Sequence, residues 1–232
     1  MASRCFALTL ALLLPQSPPQ ATFRNLNDSF HLELPAGWRQ LAPNEASGLA
    51  ADPASPLPLR FSQPRRYYAV GPVDDWRRGD FSGPWLQVVE ADEEWYVGDD
   101  FADELRSMWQ QEGEKTGVRH ELAEIRREKI GGQQLDAVVA VRTSTPKDAP
   151  ATMSLDVHAP SGGQQVTLSF TCRSEAFGRW QPEFRRWLDT VVFARVRRQN
   201  LTLTERLQGP LLTGGLIGLA LFFLYRYTRR RR

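Results

Sequence analysis

Residues 121–172, ELAEIRREKIGGQQLDAVVAVRTSTPKDAPATMSLDVHAPSGGQQVTLSFTC, carry the tetrapeptide Gly-Gly-Gln-Gln twice, at Gly131–Gln134 and at Gly162–Gln165. Paired glycines between apolar runs mark tight turns, because glycine reaches positive φ without a steric penalty. Two hairpins follow, with strands near Glu121–Ile130, Leu135–Thr143, Met153–His158 and Val166–Cys172. Ala137–Val141 is apolar enough to be buried on both faces. Val166, Leu168, Phe170 and Cys172 alternate with polar residues, which is the period of a strand with one buried face. The residues flanking the two turns do not otherwise match, so the repeat reflects turn chemistry and not a duplicated unit.

Upstream of the hairpins, Phe101, Leu105, Met108 and Trp109 recur at the spacing of one helix face and predict a helix over 101–114. Asp99 and Asp100 suit its N-cap, and Asp103 and Glu104 suit the positive end of its dipole. Downstream, Phe184, Trp187, Leu188 and Val191 predict a second amphipathic helix with Pro182 in its first turn and Trp187 central to the core. Phe30, Leu32 and Leu34 alternate in a strand closed by Pro35 and Gly37. Residues 42–84, rich in Pro, Gly, Ala and Ser, read as a long connection with a strand at Tyr67–Val70, and Trp85–Glu90 reads as another strand. The fold class expected is α+β, an antiparallel β-sheet flanked by helices.

The run Ser29-Phe30-His31-Leu32-Glu33-Leu34-Pro35-Ala36-Gly37-Trp38, with the two helices and the antiparallel strands, resembles the PsbP-like α/β/α sandwich. That fold is shared by the extrinsic PsbP subunit of the photosynthetic oxygen-evolving complex, by DcrB-type envelope proteins and by a Ran-binding nuclear import factor. The resemblance covers residues 23–193. It implies a module that binds other macromolecules and supplies no functional residue to carry over.

The ends of the chain predict a membrane protein. Residues 1–21 have the parts of a signal peptide: Arg4, an apolar run from Cys5 to Leu14 too short to span, and a polar stretch ending at Ala21. Residues 22–193 form the extracytoplasmic domain and 194–206 a juxtamembrane linker. Residues 207–225 carry no charge and would run roughly 28 Å as a helix, enough to cross a bilayer. Residues 226–232 form an Arg-rich cytoplasmic tail. Export of the N-terminus sets the orientation, giving a single-pass protein of the cell membrane with its body outside. Gly214 and Gly215 ahead of an apolar run and an arginine cluster also resemble the GlyGly-type sorting tails of bacterial envelope proteins, which leaves processing of the anchor open.

Charge and motifs narrow the chemistry. Arg4 and five tail arginines make up six of the 29 basic residues, so the remaining 23 face 27 acidic ones. An acidic body argues against nucleic acid as a partner. Loss of Cys5 with the leader leaves Cys172 alone, and its alternating context predicts a buried, inert thiol. His31, His120 and His158 lack ligand spacing and read as satisfied surface residues, so no metal and no cofactor are expected. The acidic group Glu90–Glu94 with Asp99 and Asp100 lacks the ligand alternation of a calcium loop. No nucleophile elbow or phosphate loop occurs, and no catalytic residue is assigned. The candidate partner surface is Tyr67, Tyr68, Trp76, Arg77, Arg78, Trp95 and Tyr96, the residue types that dominate binding hot spots; the competing reading packs these rings against the sheet. The function expected is a non-enzymatic, membrane-anchored module for a protein partner in the envelope. The alternative is a hydrolase or small-ligand domain whose site is assembled from residues distant in sequence.

Overall fold

The computed structural model describes residues 20–25, 28–50, 55, 67–91, 100–161 and 164–194. Both hairpins form. Strand β6 (Arg119–Ile130) pairs with β7 (Leu135–Thr145), and β8 (Thr152–Ser161) with β9 (Gln164–Arg173). The same tetrapeptide is used in two ways. Ile130 pairs with Leu135 around a four-residue turn, whereas Ser161 pairs with Gln164, so the second pair of glutamines lies inside a strand. In the first turn Gly131 has φ 65°, and a Cβ there would run into the carbonyl oxygen of Val191. Gly131→Ala is therefore expected to cost about 1–3 kcal/mol, measured as a lowered urea midpoint.

The four strands extend outward through β5 (Trp85–Ala91), β4 (Tyr67–Gly71) and β3 (Arg39–Gln40) into a seven-stranded antiparallel sheet ordered β3-β4-β5-β9-β8-β7-β6. A second sheet of three strands places β2 (Phe30–Pro35) between β1 (Gln20–Arg24) and β10 (Val192–Phe193). β1 takes in Gln20 and Ala21, the last two residues of the stretch read as a leader.

The main core lies between the two sheets. Phe30, Leu32 and Leu34 of β2 meet Val166, Leu168, Phe170 and Cys172 of β9, with Leu155, Val157 and Ala159 of β8 beside them. Burial pushes the Cys172 thiol up to about 12, so it is inert as expected. Helix α4 (Phe177–Asp189) closes this layer with Phe177, Phe184, Trp187 and Leu188. It begins five residues before Pro182, earlier than the sequence predicts, after a 3-10 turn over Ser174–Ala176. Pro182 removes one helical hydrogen bond, and Gly178, whose carbonyl loses that donor, is exposed to water.

The opposite face of the large sheet carries two smaller covers. Helices α1 (Pro43–Ala50) and α2 (Val73–Trp76), inside the stretch read as a connection, close over Ala69 and Trp85 in a cluster with Leu41, Val73, Trp76 and Phe81. Glu45 fixes the entry to α1 by accepting from Ala42 N–H at 3.0 Å and pairing with Arg39 at 2.8 Å. Helix α3 (Phe101–Thr116) lies over β6 and β7, where Phe101 and Leu105 contact Val138, Leu122 and Ile125. Asp100 holds the N-cap position but makes no side-chain cap bond, and Met108 is 45% exposed, so α3 buries a narrower face than its spacing predicts.

Ala137–Val141 is buried on both faces, as its composition predicts. Among the described residues no helix is long and apolar enough to cross a membrane. The leader to Pro19, the linker from Arg195, the span 207–225 and the tail 226–232 lie outside the described residues.

Candidate functional site

The face of the large sheet beneath α3 carries the least expected chemistry. Strands β7, β8 and β9 turn their apolar residues toward the main core, so the residues between them point the other way: Arg142 and Ser144, Ser154, Asp156 and His158, Ser169 and Thr171. All seven are buried, and Asp156 has no exposed surface. Arg142 grips Asp156 through Nε at 2.6 Å and Nη2 at 3.2 Å, and its Nη1 donates to Ser144 Oγ at 2.5 Å. Burial pushes the Asp156 carboxyl up, but the Arg142 guanidinium, with hydrogen bonds from Arg142 and Ser169, outweighs it and holds the carboxyl below its ordinary range. Ser154 and Thr171 hydroxyls share a hydrogen bond of 2.9 Å.

Helix α3 covers this layer with an aromatic ring. The Arg142 guanidinium lies 3.9 Å from the centroid of Trp109, a cation–π contact in a water-poor setting. His120 of β6 sits between the two elements, its ring 5.0 Å from Trp109 and its Nδ1 2.9 Å from Ser144 Oγ and 3.4 Å from Arg142 Nη1. A guanidinium only donates, so Nδ1 of His120 accepts and its proton sits on Nε2. His158 of β8 repeats the pattern: Gln165 Nε2 donates to its Nδ1 at 3.2 Å, Thr167 Oγ1 lies 3.0 Å away, and the Phe101 ring of α3 meets it edge-on at 5.6 Å. Its Nε2 is buried with no hydrogen-bond partner in the protein.

The three histidines are thus not alike, and the surface reading fails for His158, which is 2% exposed, and for the half-buried His120. Among the described residues no group of His, Cys, Asp and Glu could hold a metal ion.

Beside this buried layer, an open cleft of about 850 Å³ runs between α3 and the start of β6, lined among others by Arg106, Trp109, Gln110, Arg119, His120 and Leu122. Gly113 makes the close approach possible: a Cβ there would stand 2.6 Å from Val118 O.

Of the aromatic patch expected from sequence, Tyr68 and Trp76 do not lie at the surface. Trp76 is 1% exposed at the centre of the cluster under α1 and α2, and Tyr68 is buried in the main core, its hydroxyl donating to Glu90 at 3.2 Å. Both are interior residues and leave the candidate surface, because β4 turns Tyr68 into the main core and α2 packs Trp76 down onto the sheet. Arg77 and Arg78 are exposed but bound to neighbouring carboxylates, Arg77 to Glu45 and Asp74, Arg78 to Asp75. Tyr67 lies in β4, and Trp95 and Tyr96 fall outside the described residues.

The architecture defines the class: a PsbP-like α+β fold. The cyanobacterial PsbP protein (CyanoP) of Synechocystis sp. PCC 6803, known from a solution structure, superposes with a TM-score of 0.53 at 9% identity, covering 77% of this chain and 95% of that one. A Pseudomonas aeruginosa protein of unknown function, PA94, aligns over 76% of this chain and 99% of its own at 14% identity, with a TM-score of 0.36. No family model matches the chain, and no curated protein is similar to it.

Proposed function

We propose that this chain is a non-enzymatic, extracytoplasmic interaction module, held at the cell membrane by a helix over 207–225 and engaging a protein partner through the cleft between α3 and β6. The observation that carries this reading is the closure of the buried polar layer. Arg142 spends its donors on Asp156, Ser144 and Ser154; Asp156 is sealed, and the Ser144 hydroxyl is buried between Arg142 and His120. A nucleophile or acid–base pair has to reach a substrate. These groups reach one another instead, which favours binding over the hydrolase alternative. The PsbP-like fold supports the same reading. The cleft offers an aromatic floor at Trp109 with charged residues at its rim, the make-up of a protein-binding surface. A membrane anchor would raise the local concentration of the module around a membrane partner.

A photoreactive side chain placed at Gln110 or Arg119 of the full chain in intact membranes is expected to cross-link a partner protein, and one at Arg186 on α4 is not. Equal labelling from all three positions, or none from the cleft, would overturn the assignment. Protease added outside an intact inner membrane is expected to digest the body and spare the tail 226–232; a protected body would rule out the topology.

A further inference from the structure

We propose that α3 is an acid-released latch, held closed over the polar face of the sheet by two neutral histidines packed under it, the half-buried His120 and the buried His158. The inference concerns regulation and does not depend on which partner uses the cleft. Its basis is geometric. Both imidazoles lie directly beneath α3, His120 against Trp109 and His158 against Phe101. Nδ1 of His120 accepts from Arg142 Nη1, a group that can only donate, and lies 2.9 Å from Ser144 Oγ; Nδ1 of His158 faces the Gln165 amide and the Thr167 hydroxyl, while its Nε2 is buried with no partner in the protein. A proton added at Nδ1 of His120 meets the Arg142 cation, and one added to His158 charges a buried ring whose hydrogen bonds are to the uncharged Gln165 and Thr167. At neutral pH the layer holds one cation, Arg142, and one anion, Asp156; with both imidazoles protonated it would carry two further positive charges and no further anion.

Burial favours the neutral form of both rings, and the charged groups facing them are of mixed sign. Around His120 these are Arg142 of β7, opposed by Glu112 of α3 and Asp156 of β8; around His158 they are Asp156 on its own strand and Arg142 of β7, with uncharged Gln165 and Thr167 from β9 and Phe101 from α3. Burial first, then Arg142, lowers His120 to about 4; burial lowers His158 to about 4, with Asp156 opposing and Arg142 adding.

Above pH 6.5 the imidazoles are neutral whether α3 is closed or open. Between 6.5 and about 4 the open form takes up protons that the closed form refuses, so opening rises as pH falls, and the rise levels off below about 4. At pH 5 this amounts to about thirtyfold for a fully freed histidine, and on the order of a hundredfold for the two once the half-exposure of His120 is discounted. α3 is the element that gives way because Phe101 and Leu105 are its only buried apolar residues, whereas α4 buries four. Gly117, at φ 71°, ends α3 and supplies the joint.

Hydrogen exchange of the full chain in detergent at pH 7.5 and pH 5, corrected for the intrinsic exchange rate, tests the proposal. Peptides from 101–116 should lose protection by on the order of a hundredfold at pH 5 while those from 177–189 remain protected. His120→Gln and His158→Gln should each remove part of that pH dependence, and the double variant nearly all of it. Histidine NMR titration of the wild type gives a direct reading: the His120 and His158 imidazoles should stay neutral well below pH 6. Simultaneous loss of protection in α3 and α4, a pH-independent α3, or ordinary titration of His120 and His158 near 6.5 would overturn the latch.

Discussion

Arg142→Ala is expected to cost the domain about 3–5 kcal/mol, because it strands the fully buried Asp156 carboxylate without its guanidinium. Ser144 would lose a donor and Trp109 the cation beneath its ring. The companion experiment is Arg142→Met with Asp156→Leu. Removing both charges together abolishes the desolvation penalty as well as the attraction, so the double variant should recover most of the loss and can exceed the wild type. Equilibrium denaturation in urea at pH 7 reads both. A single variant that costs less than 1 kcal/mol would mean that water reaches Asp156 and that the layer beneath α3 is open. Stability and specificity separate here: a double variant that is stable yet leaves α3 poorly ordered would identify the ion pair as the feature that positions the helix.

Trp76→Ala should be nearly as damaging as Trp187→Ala, each costing about 3–5 kcal/mol. Trp187 packs against Trp38, Phe170 and Phe184 with ring centroids 5.1, 6.2 and 5.6 Å away, and it is 4% exposed. Trp76 is 1% exposed and fills the space above Gly71, where a Cβ would meet its indole. A tryptophan serving a partner would cost about 1 kcal/mol or less when truncated. Comparing the two urea midpoints therefore decides whether Trp76 belongs to the core; a difference of several kcal/mol in favour of Trp76→Ala would return it to the surface.

The two tryptophans show where sequence reasoning carries and where it stops. Trp187 was legible because Phe184 and Leu188 repeat with it on a helix face, and a repeating face identifies its own buried side. Trp76 sits in a four-residue helix between acidic and basic neighbours, too short for any period to emerge. The short strands are similar cases. β10 has two residues and is defined only by its pairing with β2 and by the Gln133 amide, which bonds Phe193 N and O at 2.8 and 3.0 Å.

The candidate site was the harder half. Met153, Leu155 and Val157 alternate with Ser154, Asp156 and His158, and the ordinary inference from such alternation is one face in the core and one in water. The alternation holds, but the second face meets no water, since α3, from about fifty residues upstream, covers that face around Arg142 and His158. Periodicity is a property of the local backbone, so the sequence by itself determined the longer strands, the hairpins and the apolar face of α4. Desolvation depends on which distant element lies across a surface, and so the burial of Asp156, the neutrality of His158 and the place of Trp76 were decided only by the tertiary structure.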